Sequence, residues 1–457
     1  MNISIVGLGK LGAPLAACYA ARGCRVVGVD RNEQAVAAVN AGRAPVPETG
    51  LDELLAQAAG RLTATTDLAA AVAATEITFV IVPTPSDENG AFTLRYVLPA
   101  VEAVGAALRT KDAYHVVVIT STVMPGDTGG LIRRTLEEHA GKRCGADFGL
   151  CYSPEFIALG SVIHDLQHPD FILIGESDAR AGDLTAAAVQ ALARNNPPVQ
   201  RMAFVNAELA KIAVNTLVTT KISFANMLGE LCEHLEGGDV DAVTRALGAD
   251  RRIGPLYLKA GLGYGGPCFP RDNRALAAVA QRARVQAPIA VATDETNRRQ
   301  LDRLESLVCA SLPEHGTVAV LGLTYKPDTP VTDETQGLEL ALRLAAAGVR
   351  VVAYDPLVAR AEQLPPGAGI RLASSATACA AAGDVVVVCN PCREFLALNE
   401  FQPDQRDFRQ RTLIDCWRIL DGVRLGQYLT YVALGRFQGG ARPARSKRTA
   451  RATPLAK

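Results

Sequence analysis

The first residues, 1–12, read MNISIVGLGKLG and place a short apolar run, Ile3 to Val6, directly before a glycine-rich turn. Residues 11–22 are rich in alanine and predict a helix, and residues 25–30 predict a second short strand. A strand, a tight turn, a helix and a strand in this order form a βαβ unit, which packs into a parallel sheet. The start of the chain therefore predicts a Rossmann-like α/β domain.

The glycine turn has the spacing of a dinucleotide-binding loop, GxGxxG. Its first glycine permits the tight turn, the second lets the backbone approach a pyrophosphate, and the third lets the helix pack close to the sheet. Asp30 stands where an acid would bind the ribose diol and repel a 2′-phosphate, which favours NAD over NADP, although the adjacent Arg31 weakens that preference. The predicted cofactor contacts here are Gly7, Gly9, Leu11, Gly12 and Asp30.

The rest of the chain repeats this alternation after a helical interruption. Apolar segments near residues 77–85 and 116–120 continue the first series of strands, and a second series begins at Thr317. Residues 204–236 contain no proline and one glycine, which predicts one long helix suited to a connector or a subunit interface. The predicted fold is α/β, with two Rossmann-like doubly wound parallel-sheet domains joined by a helical domain with one long connecting helix.

The predicted domain boundaries follow from composition. The sequence Asn195-Asn196-Pro197-Pro198 predicts a domain boundary, and the end of the chain is basic, without acids or periodicity, which predicts disorder. A role for this tail on nucleic acid or an anionic surface stays an open alternative. The expected division is residues 1–198 for the NAD-binding Rossmann-like domain, 199–300 for a central helical domain, 301–425 for a second Rossmann-like domain, and 426–457 for the tail.

Overall composition excludes several classes of protein. Lysine and arginine number 47, as do aspartate and glutamate, so the balanced charge argues against a nucleic-acid or membrane-surface protein. No apolar run approaches a membrane span, which predicts a soluble, cytoplasmic protein. The 11 cysteines are scattered and predict no disulfide framework. Cys389 and Cys392 form one CxxC pair without a second pair or a nearby histidine, so we expect no metal site.

Two stretches carry reactive side chains. GLGYGGPCFPRD, residues 261–272, is a glycine- and proline-rich loop in which Cys268 lies near Arg271 and Asp272, and a nearby cation would favour a thiolate. The alternative is a buried cysteine in a glycine turn. On the long helix, Lys211 and Asn215 are four residues apart and share a face, so they could hold an oxyanion together. The alternative is a solvated lysine and a surface asparagine.

Several further motifs occur along the chain, which in order contains GLGKLG, PTPSDENGAFTLRYV, STVMPGDT, SPEF with HDLQHPD, NAELAKIAVN, RIG, GLGYGGPCFPRD and GLTYKPDT. With these motifs the chain resembles the UDP-glucose/GDP-mannose dehydrogenase family from Met1 to about Asp421. The resemblance implies NAD as cofactor and a nucleotide-sugar substrate, with UDP-glucose as first choice, and a four-electron oxidation through a covalent cysteine intermediate. It also implies that residues 301–425 bind the sugar nucleotide and that the central domain, 199–300, is a dimerisation domain in a homodimer or larger homo-oligomer.

The resemblance also implies roles for matching residues. Arg252 would reach the neighbouring subunit's site, and the loop from Lys259 to Gly265 would cover the sugar nucleotide. Thr84 and Thr122 would lie near the cofactor. The implied catalytic residues are Cys268 as nucleophile, Lys211 and Asn215 for the oxyanion, Asp272 for acid–base chemistry, Thr122 to position a water and Glu155 to support thioester hydrolysis. The implied substrate contacts are Glu155, Phe156, Lys211, Arg252, Lys259, Gly263, Tyr264, Gly265 and Lys326.

Three positions depart from the family's usual pattern. Leu159 stands in place of an acid, Asp333 in place of an arginine, and Cys416 in place of a glycine, and Arg418 is a candidate to replace a lost positive contact. The substrate therefore stays open between UDP-glucose, UDP-N-acetylmannosamine, GDP-mannose and a less common nucleotide sugar. Two further alternatives are a two-electron hydroxyacid-type dehydrogenase, which would not need Cys268, and a non-catalytic sensor of NAD or sugar nucleotide.

Overall fold

The computed structural model describes residues 1–58, 60–358, 360, 363–400 and 411–439. Contacts divide the chain into two compact units. The first unit contains Met1–Leu217 and Arg271–Val291, and the second contains Val218–Pro270 and the described residues from Ala292 onward.

The first unit is built on an eight-stranded sheet with the order β3-β2-β1-β4-β5-β6-β7-β8. Strands β1 to β6 pair in parallel, and the order reverses between β1 and β4. In doubly wound sheets, ligands bind outside the carboxyl ends of the strands at such a reversal. The strands are β1 Asn2–Val6, β2 Arg25–Val29, β3 Leu62–Thr65, β4 Ile77–Val80, β5 Val116–Ile119, β6 Gly149–Tyr152, β7 Ile172–Glu176 and β8 Val199–Met202.

One strand pair in this sheet departs from the parallel pattern. β7 pairs with β6 in the antiparallel sense, with Cys151 opposite Glu176, and β8 then pairs in parallel with β7. Because β7 begins at the edge where β6 ends, the connecting residues 153–171 stay at the carboxyl edge of β1 to β6. This segment carries the SPEF motif, so the reversal keeps Glu155 at the edge that also holds the glycine loop.

Helices cover both faces of this sheet. Residues Gly12 to Ala20 of α1 are all buried, so this helix of mostly small residues has no polar face. Aspartate and asparagine side chains begin three other helices by accepting backbone N–H bonds, namely Asn32, Asp67 and Asp178. The helices are α1 Gly12–Ala21, α2 Glu33–Asn40, α3 Leu51–Gln57, α4 Leu68–Ala74, α5 Val97–Arg109, α6 Arg133–Ala140 after a π-helical turn at Thr128–Ile132, α7 Val162–Gln167 and α8 Ala179–Leu192.

Long helices follow the first sheet in the chain. The predicted helix over 204–236 is confirmed as α9, Phe204–His234, which is 31 residues long. It is followed by α10 Val240–Ala249, α11 Phe269–Arg282 and α12 Pro288–Ser311.

The second unit contains a six-stranded parallel sheet with the order β11-β10-β9-β12-β13-β14. Its strand β12 is four buried valines, as expected for a strand covered on both faces. The strands are β9 Thr317–Leu321, β10 Arg350–Tyr354, β11 Ile370–Leu372, β12 Val385–Val388, β13 Thr412–Asp415 and β14 Thr430–Ala433. The remaining helices are α13 Gln336–Ala346, α14 Ala376–Ala382, a 3₁₀ helix at Arg393–Glu400 and α15 Gly422–Leu425.

The predicted fold class is confirmed: two doubly wound sheets and a helical region with one long helix. Two details differ from the expectation. The reversed strand β7 makes the first sheet mixed, and β14 lies inside the segment assigned to the disordered tail. Residues 430–433 form a strand because they pair with β13 and so extend the second sheet. Residues 440–457 of the predicted tail lie outside the described residues.

Within the described chain, no helix has the length and apolar character needed to cross a membrane.

Candidate active site

The glycine loop after β1 is shaped as the sequence predicted. Gly7 has φ +101° and donates its N–H to Val29 O at 2.7 Å, and a Cβ there would lie 2.2 Å from Ile81 O. A Cβ at Gly12 would lie 1.8 Å from Gly7 O, so only glycine lets α1 approach this closely. At Gly9, by contrast, a Cβ would meet nothing within 4 Å. The loop therefore presents bare backbone to open space at the start of α1, which fits a pyrophosphate.

Asp30 at the end of β2 anchors the same loop. Its Oδ2 accepts the N–H of Leu8 at 2.7 Å, and its Oδ1 accepts the N–H of Asn32 at 2.8 Å. A carboxylate oxygen can accept more than one hydrogen bond, so these two bonds leave capacity for a ribose diol. The residue thus has a structural task besides the predicted recognition of the cofactor.

The chain segments after β4 and β5 border the glycine loop at the reversal of strand order. Ser121 joins them, since its hydroxyl accepts the N–H of Val82 at 2.9 Å and donates to Val82 O at 2.7 Å. Thr84 is buried and Thr122 is half-buried, each a few residues past its strand. Both predicted cofactor neighbours therefore lie at the carboxyl edge of the first sheet.

Lys211 on α9 and the SPEF segment form the first polar cluster of this unit. Lys211 is only 7% exposed, and its ammonium donates to the backbone carbonyl of Glu155 at 2.7 Å and lies 4.4 Å from the ring centroid of Phe156. Burial raises the pKa of the Glu155 carboxyl to about 7, against the lowering effect of the Lys211 charge. A carboxyl with this pKa can exchange a proton near neutral pH.

Asn215 and Asp272 form the second polar cluster. The Asn215 Nδ2 donates to Asp272 Oδ2 at 2.5 Å, and the two side chains are 8% and 4% exposed. Burial raises the pKa of Asp272, while the charge of Lys211 and the hydrogen bond from Asn215 oppose that rise. The alternatives of a solvated lysine and a surface asparagine are therefore wrong, because both side chains are buried and bonded.

Arg271 has partners in the first unit. Its Nη2 donates to Thr84 O at 2.7 Å, and its guanidinium lies 4.9 Å from the ring centroid of Phe92. These contacts attach the start of α11 to the PTP segment, where the sequence predicted a cofactor contact.

In the second unit, Cys268 directly precedes α11 and its side chain is exposed. Eight of the 11 cysteines are buried, Cys392 is half-buried, and Cys309 on α12 is also exposed. The alternative of a buried cysteine in a glycine turn is therefore wrong. A helix N-terminus favours an anion, which suits a thiolate at this position.

The other predicted substrate contacts of this unit differ in exposure. Lys259 is exposed, Tyr264 is buried, and Gly263, Gly265 and Lys326 are half-buried. Arg252 has a side chain that is 83% exposed and is paired with Asp250 at 2.6 Å. In the described part of the chain, no group of three or more histidine, cysteine or acidic side chains could hold a metal ion.

Three family models match this chain in sequence order. The NAD-binding domain of the UDP-glucose/GDP-mannose dehydrogenase family matches residues 1–193, its central domain matches 205–299, and its UDP-binding domain matches 319–422. This chain belongs to the UDP-glucose/GDP-mannose dehydrogenase family. It is therefore an NAD-dependent nucleotide-sugar dehydrogenase, as the motifs predicted.

The names of individual relatives give two different substrates. The UDP-glucose 6-dehydrogenase AglM of Haloferax volcanii is 38% identical over 427 residues, 92% of this chain and 97% of the relative. The GDP-mannose 6-dehydrogenase of Pseudomonas putida is 35% identical over 359 residues, 78% of this chain and 81% of the relative. Among solved structures, a UDP-glucose dehydrogenase from Pyrobaculum islandicum superimposes with a TM-score of 0.86 at 34% identity, covering 95% of this chain and 98% of that one.

The three residues that depart from the family pattern lie in different environments in the structure. Leu159 packs against the apolar core of the first unit, Asp333 is exposed and offers its backbone carbonyl to Gly266 N at 2.8 Å, and Cys416 is buried. Arg418 is engaged elsewhere, because it pairs with Asp241 at 2.8 Å and its side chain is 1% exposed. The hypothesis that Arg418 replaces a lost positive contact is therefore wrong.

Sequence reasoning missed a second glycine loop of the same design. Gly322 after β9 has φ +98° and donates to Tyr354 O at 2.9 Å, and Asp355 after β10 accepts the N–H groups of Leu323 and Thr324 at 2.9 and 3.0 Å. This repeats the arrangement of Gly7 and Asp30. The signal was hidden because 13 residues separate the first glycine from α13, so no GxGxxG spacing remains.

A buried acid on α9 was missed as well. Glu208 is 0% exposed and accepts the N–H groups of Gly126 and Thr128 at 2.6 and 2.8 Å. These bonds tie the STVMPGDT segment, which contains Thr122, to α9. Its place in the NAELAKIAVN motif was visible, but its partners are about 80 residues away and could not be read from local spacing.

Proposed function

We propose that the enzyme oxidises the primary alcohol of a nucleotide-diphosphate sugar to the carboxylate, in two steps, with Cys268 as covalent nucleophile. UDP-glucose, giving UDP-glucuronate, is the best candidate substrate. The relative named for UDP-glucose covers more of this chain than the one named for GDP-mannose, which supports this choice. UDP-N-acetylmannosamine, GDP-mannose and a less common nucleotide sugar remain alternatives.

The chemistry needs a nucleophile that holds the aldehyde between the two oxidations. NAD, which the glycine loop would hold, would accept the hydride in each of the two oxidations. The Cys268 thiolate adds to the aldehyde carbon and forms a thiohemiacetal, so the reactive aldehyde is not released. Loss of the second hydride leaves a thioester on Cys268, and attack by water releases the carboxylate and the thiol. The exposure of Cys268 supports this role, because a nucleophile must be reachable.

The observation that carries the proposal is the pair of buried polar side chains, Lys211 and Asn215, on one face of α9. Burying an ammonium or an amide costs free energy unless its N–H groups are hydrogen-bonded. Lys211 and Asn215 have N–H donors in addition to those that bond to Glu155 O and Asp272. We assign them to the substrate oxygen, which carries negative charge as alkoxide and in the tetrahedral states.

Proton transfer is assigned to the neighbouring carboxyls. Asp272, held by Asn215, acts in acid–base chemistry at the sugar oxygen. Glu155, whose pKa is raised to about 7 by burial, supports the attack of water on the thioester, and Thr122 positions that water. Glu155 is deprotonated above about pH 7, so hydrolysis is expected to accelerate as the pH rises through that value.

The sugar nucleotide is assigned to the second Rossmann-like domain and its flanking loop. The proposed contacts are Phe156, Arg252 from the neighbouring subunit, Lys259, Gly263, Tyr264, Gly265 and Lys326. The proposed domains are 1–198, 199–300 and 301–425, and the order of the three matched segments supports this division.

A homodimer is proposed because α9 carries exposed apolar side chains along one stripe. Phe224, Met227 and Leu231 are all exposed, at spacings of three and four residues. Such a stripe in a chain of this size indicates a protein partner, and a second copy would cover it with the same surface. The dehydrogenase would then present Arg252 to its neighbour.

The test is the yield of NADH per sugar nucleotide consumed, with purified enzyme, NAD and a panel of UDP- and GDP-sugars. Two NADH per sugar and a uronic acid product are expected. Cys268→Ser should stop the second oxidation, whereas Cys309→Ser, at the other exposed cysteine, should keep normal turnover. One NADH per sugar, or an active Cys268→Ser enzyme that still makes the acid, would overturn the covalent mechanism and favour the two-electron alternative. Binding without turnover across the panel would favour the sensor.

A further inference from the structure

The glycine-rich segment before Cys268, residues 260–266, is held along its backbone by side chains from distant parts of the second unit. Asn226 on α9 accepts the N–H of Gly261 at 2.8 Å and donates to Leu262 O at 3.1 Å. Arg418 donates to Ala260 O at 2.8 Å. The beginning of the segment is therefore fixed by an amide and a guanidinium.

The middle of the segment is held by two further side-chain amides, one of which also bonds to the backbone of the other residue. Asn297 on α12 accepts the N–H of Tyr264 at 2.8 Å and donates to Tyr264 O at 2.9 Å. Gln336, the first residue of α13, accepts the N–H of Gly263 at 2.7 Å and donates to Asn297 O at 2.9 Å. An amide has both a donor and acceptors, so one side chain can satisfy the N–H and the C=O of the same residue.

These contacts explain why the segment is rich in glycine. A Cβ at Gly263 would lie 2.1 Å from Gln336 Nε2 and 2.2 Å from Asn297 Oδ1. A Cβ at Gly265 would lie 2.4 Å from Glu334 O. At Gly263 the two amides therefore occupy space that any side chain would fill, and at Gly265 the backbone of Glu334 does so. Glycine also loses more conformational freedom on ordering than other residues, so the segment needs bonds from outside to hold one conformation.

We propose that Asn297 and Gln336 are positioning residues that fix segment 260–266 and thereby set the place of Cys268, which follows after Gly266 and Pro267. They act through the backbone of the segment rather than on the substrate. The part of this inference that concerns turnover rests on the proposed function, whereas the ordering of the segment does not. Small displacements of a reacting group are costly, since a misplacement of ~1 Å can reduce the rate ~100-fold.

The test replaces Asn297 by aspartate, Asn297→Asp. The carboxylate has nearly the same shape and still accepts from Tyr264 N, but it cannot donate to Tyr264 O and repels that oxygen. The matched control is Asn40→Asp, because Asn40 makes the same two-bond contact with Ala64 in the first unit, at 2.7 and 2.9 Å. Asn40→Asp loses one equivalent hydrogen bond at a position that is distant in sequence from Cys268.

Three readouts are taken for each variant: the thermal midpoint, hydrogen–deuterium exchange of a peptide covering 260–268, and kcat and KM per folded molecule. For Asn297→Asp we expect exchange of this peptide about fivefold faster, the factor that corresponds to one net hydrogen bond. We also expect kcat lower by ~10- to ~100-fold, with KM for NAD nearly unchanged. Asn40→Asp should leave both kcat and this peptide's exchange unchanged, whatever its thermal midpoint.

Several outcomes would overturn the inference. Faster exchange with wild-type kcat would mean that the segment does not position Cys268. A lower kcat with unchanged exchange would mean that Asn297 acts by another route. If Asn297→Asp does not fold, Gln336→Glu, which loses the donor to Asn297 O, is held to the same criteria. If the wild-type enzyme oxidises none of the sugars, the proposed function fails, while the exchange data still decide whether the amides order the segment.

Discussion

Replacement of Lys211 by methionine tests the oxyanion assignment, because methionine keeps the length of the side chain and removes the charge. The ammonium lies 2.7 Å from Glu155 O, within a buried cluster. Loss of one donor to a developing oxyanion lowers kcat by ~100- to ~1,000-fold, or ~2.7–4 kcal/mol of transition-state stabilisation. The bond to the carbonyl is charge-assisted, so its loss lowers the unfolding free energy by at most ~3 kcal/mol. The expected variant is folded, binds the sugar nucleotide and turns over slowly.

The same substitution has a second effect on pH dependence. The Lys211 charge lowers the pKa of Glu155, which burial raises to about 7. Removing the charge removes the lowering effect, so the pKa of Glu155 rises further. Because the deprotonated form assists hydrolysis, the ascending limb of the kcat profile is expected to move to higher pH. NADH absorbance followed from about pH 5.5 to pH 9 in buffers of constant ionic strength measures both the rate and the limb.

A matched control separates loss of catalysis from loss of a structural lysine. Lys142 also donates to backbone carbonyls, those of Leu108 and Lys111 at 2.7 and 2.5 Å, and it is distant in the chain from Lys211. Lys142→Met should retain wild-type kcat. If Lys211→Met kept kcat within about threefold of wild type, Lys211 would not stabilise an oxyanion. If only the KM for the sugar rose, Lys211 would bind ground state and transition state equally.

Two further predictions concern the carboxyl of the SPEF motif and the apolar stripe on α9. Glu155→Gln should slow thioester hydrolysis and abolish the ascending limb near pH 7, since the titrating group is gone; a limb that persists in the variant assigns it to another residue. Phe224→Glu should shift the enzyme from dimer to monomer in sedimentation analysis, because it places a charge in the apolar stripe, whereas Val423→Glu, at an exposed valine of α15, should not. A monomeric wild-type enzyme, or a dimer that survives Phe224→Glu, contradicts the assignment of the interface to this stripe.

Sequence alone predicted those features whose signal is local. The glycine loop, the long helix and the alternation of strands and helices each depend on residues within a few positions of one another, and the structure has all three. The pairing of Lys211 and Asn215 on one helix face was also readable, because α9 fixes their spacing.

The features that sequence did not predict depend on distant partners. Asn297 and Gln336 carry no motif of their own, and their importance follows from contacts with residues 33 and 73 positions away. The sequence likewise did not predict the antiparallel direction of β7 or the addition of β14 to the second sheet. The composition of a strand determines neither its direction nor its partner. Residues Leu159 and Cys416 read as departures from the family pattern, yet both are apolar packing positions in the folded chain.

The bonds of Asp30 to Leu8 and Asn32 constrain any attempt to redesign the cofactor preference of this enzyme. A protein engineer seeking an NADP-dependent form would remove the carboxylate to admit the 2′-phosphate. That change would also withdraw the acceptor for two backbone N–H groups of the loop that must hold the cofactor. Under the prediction that Asp30 selects NAD, specificity and loop integrity depend on one side chain, and a useful redesign has to supply a neutral acceptor together with the new positive charge.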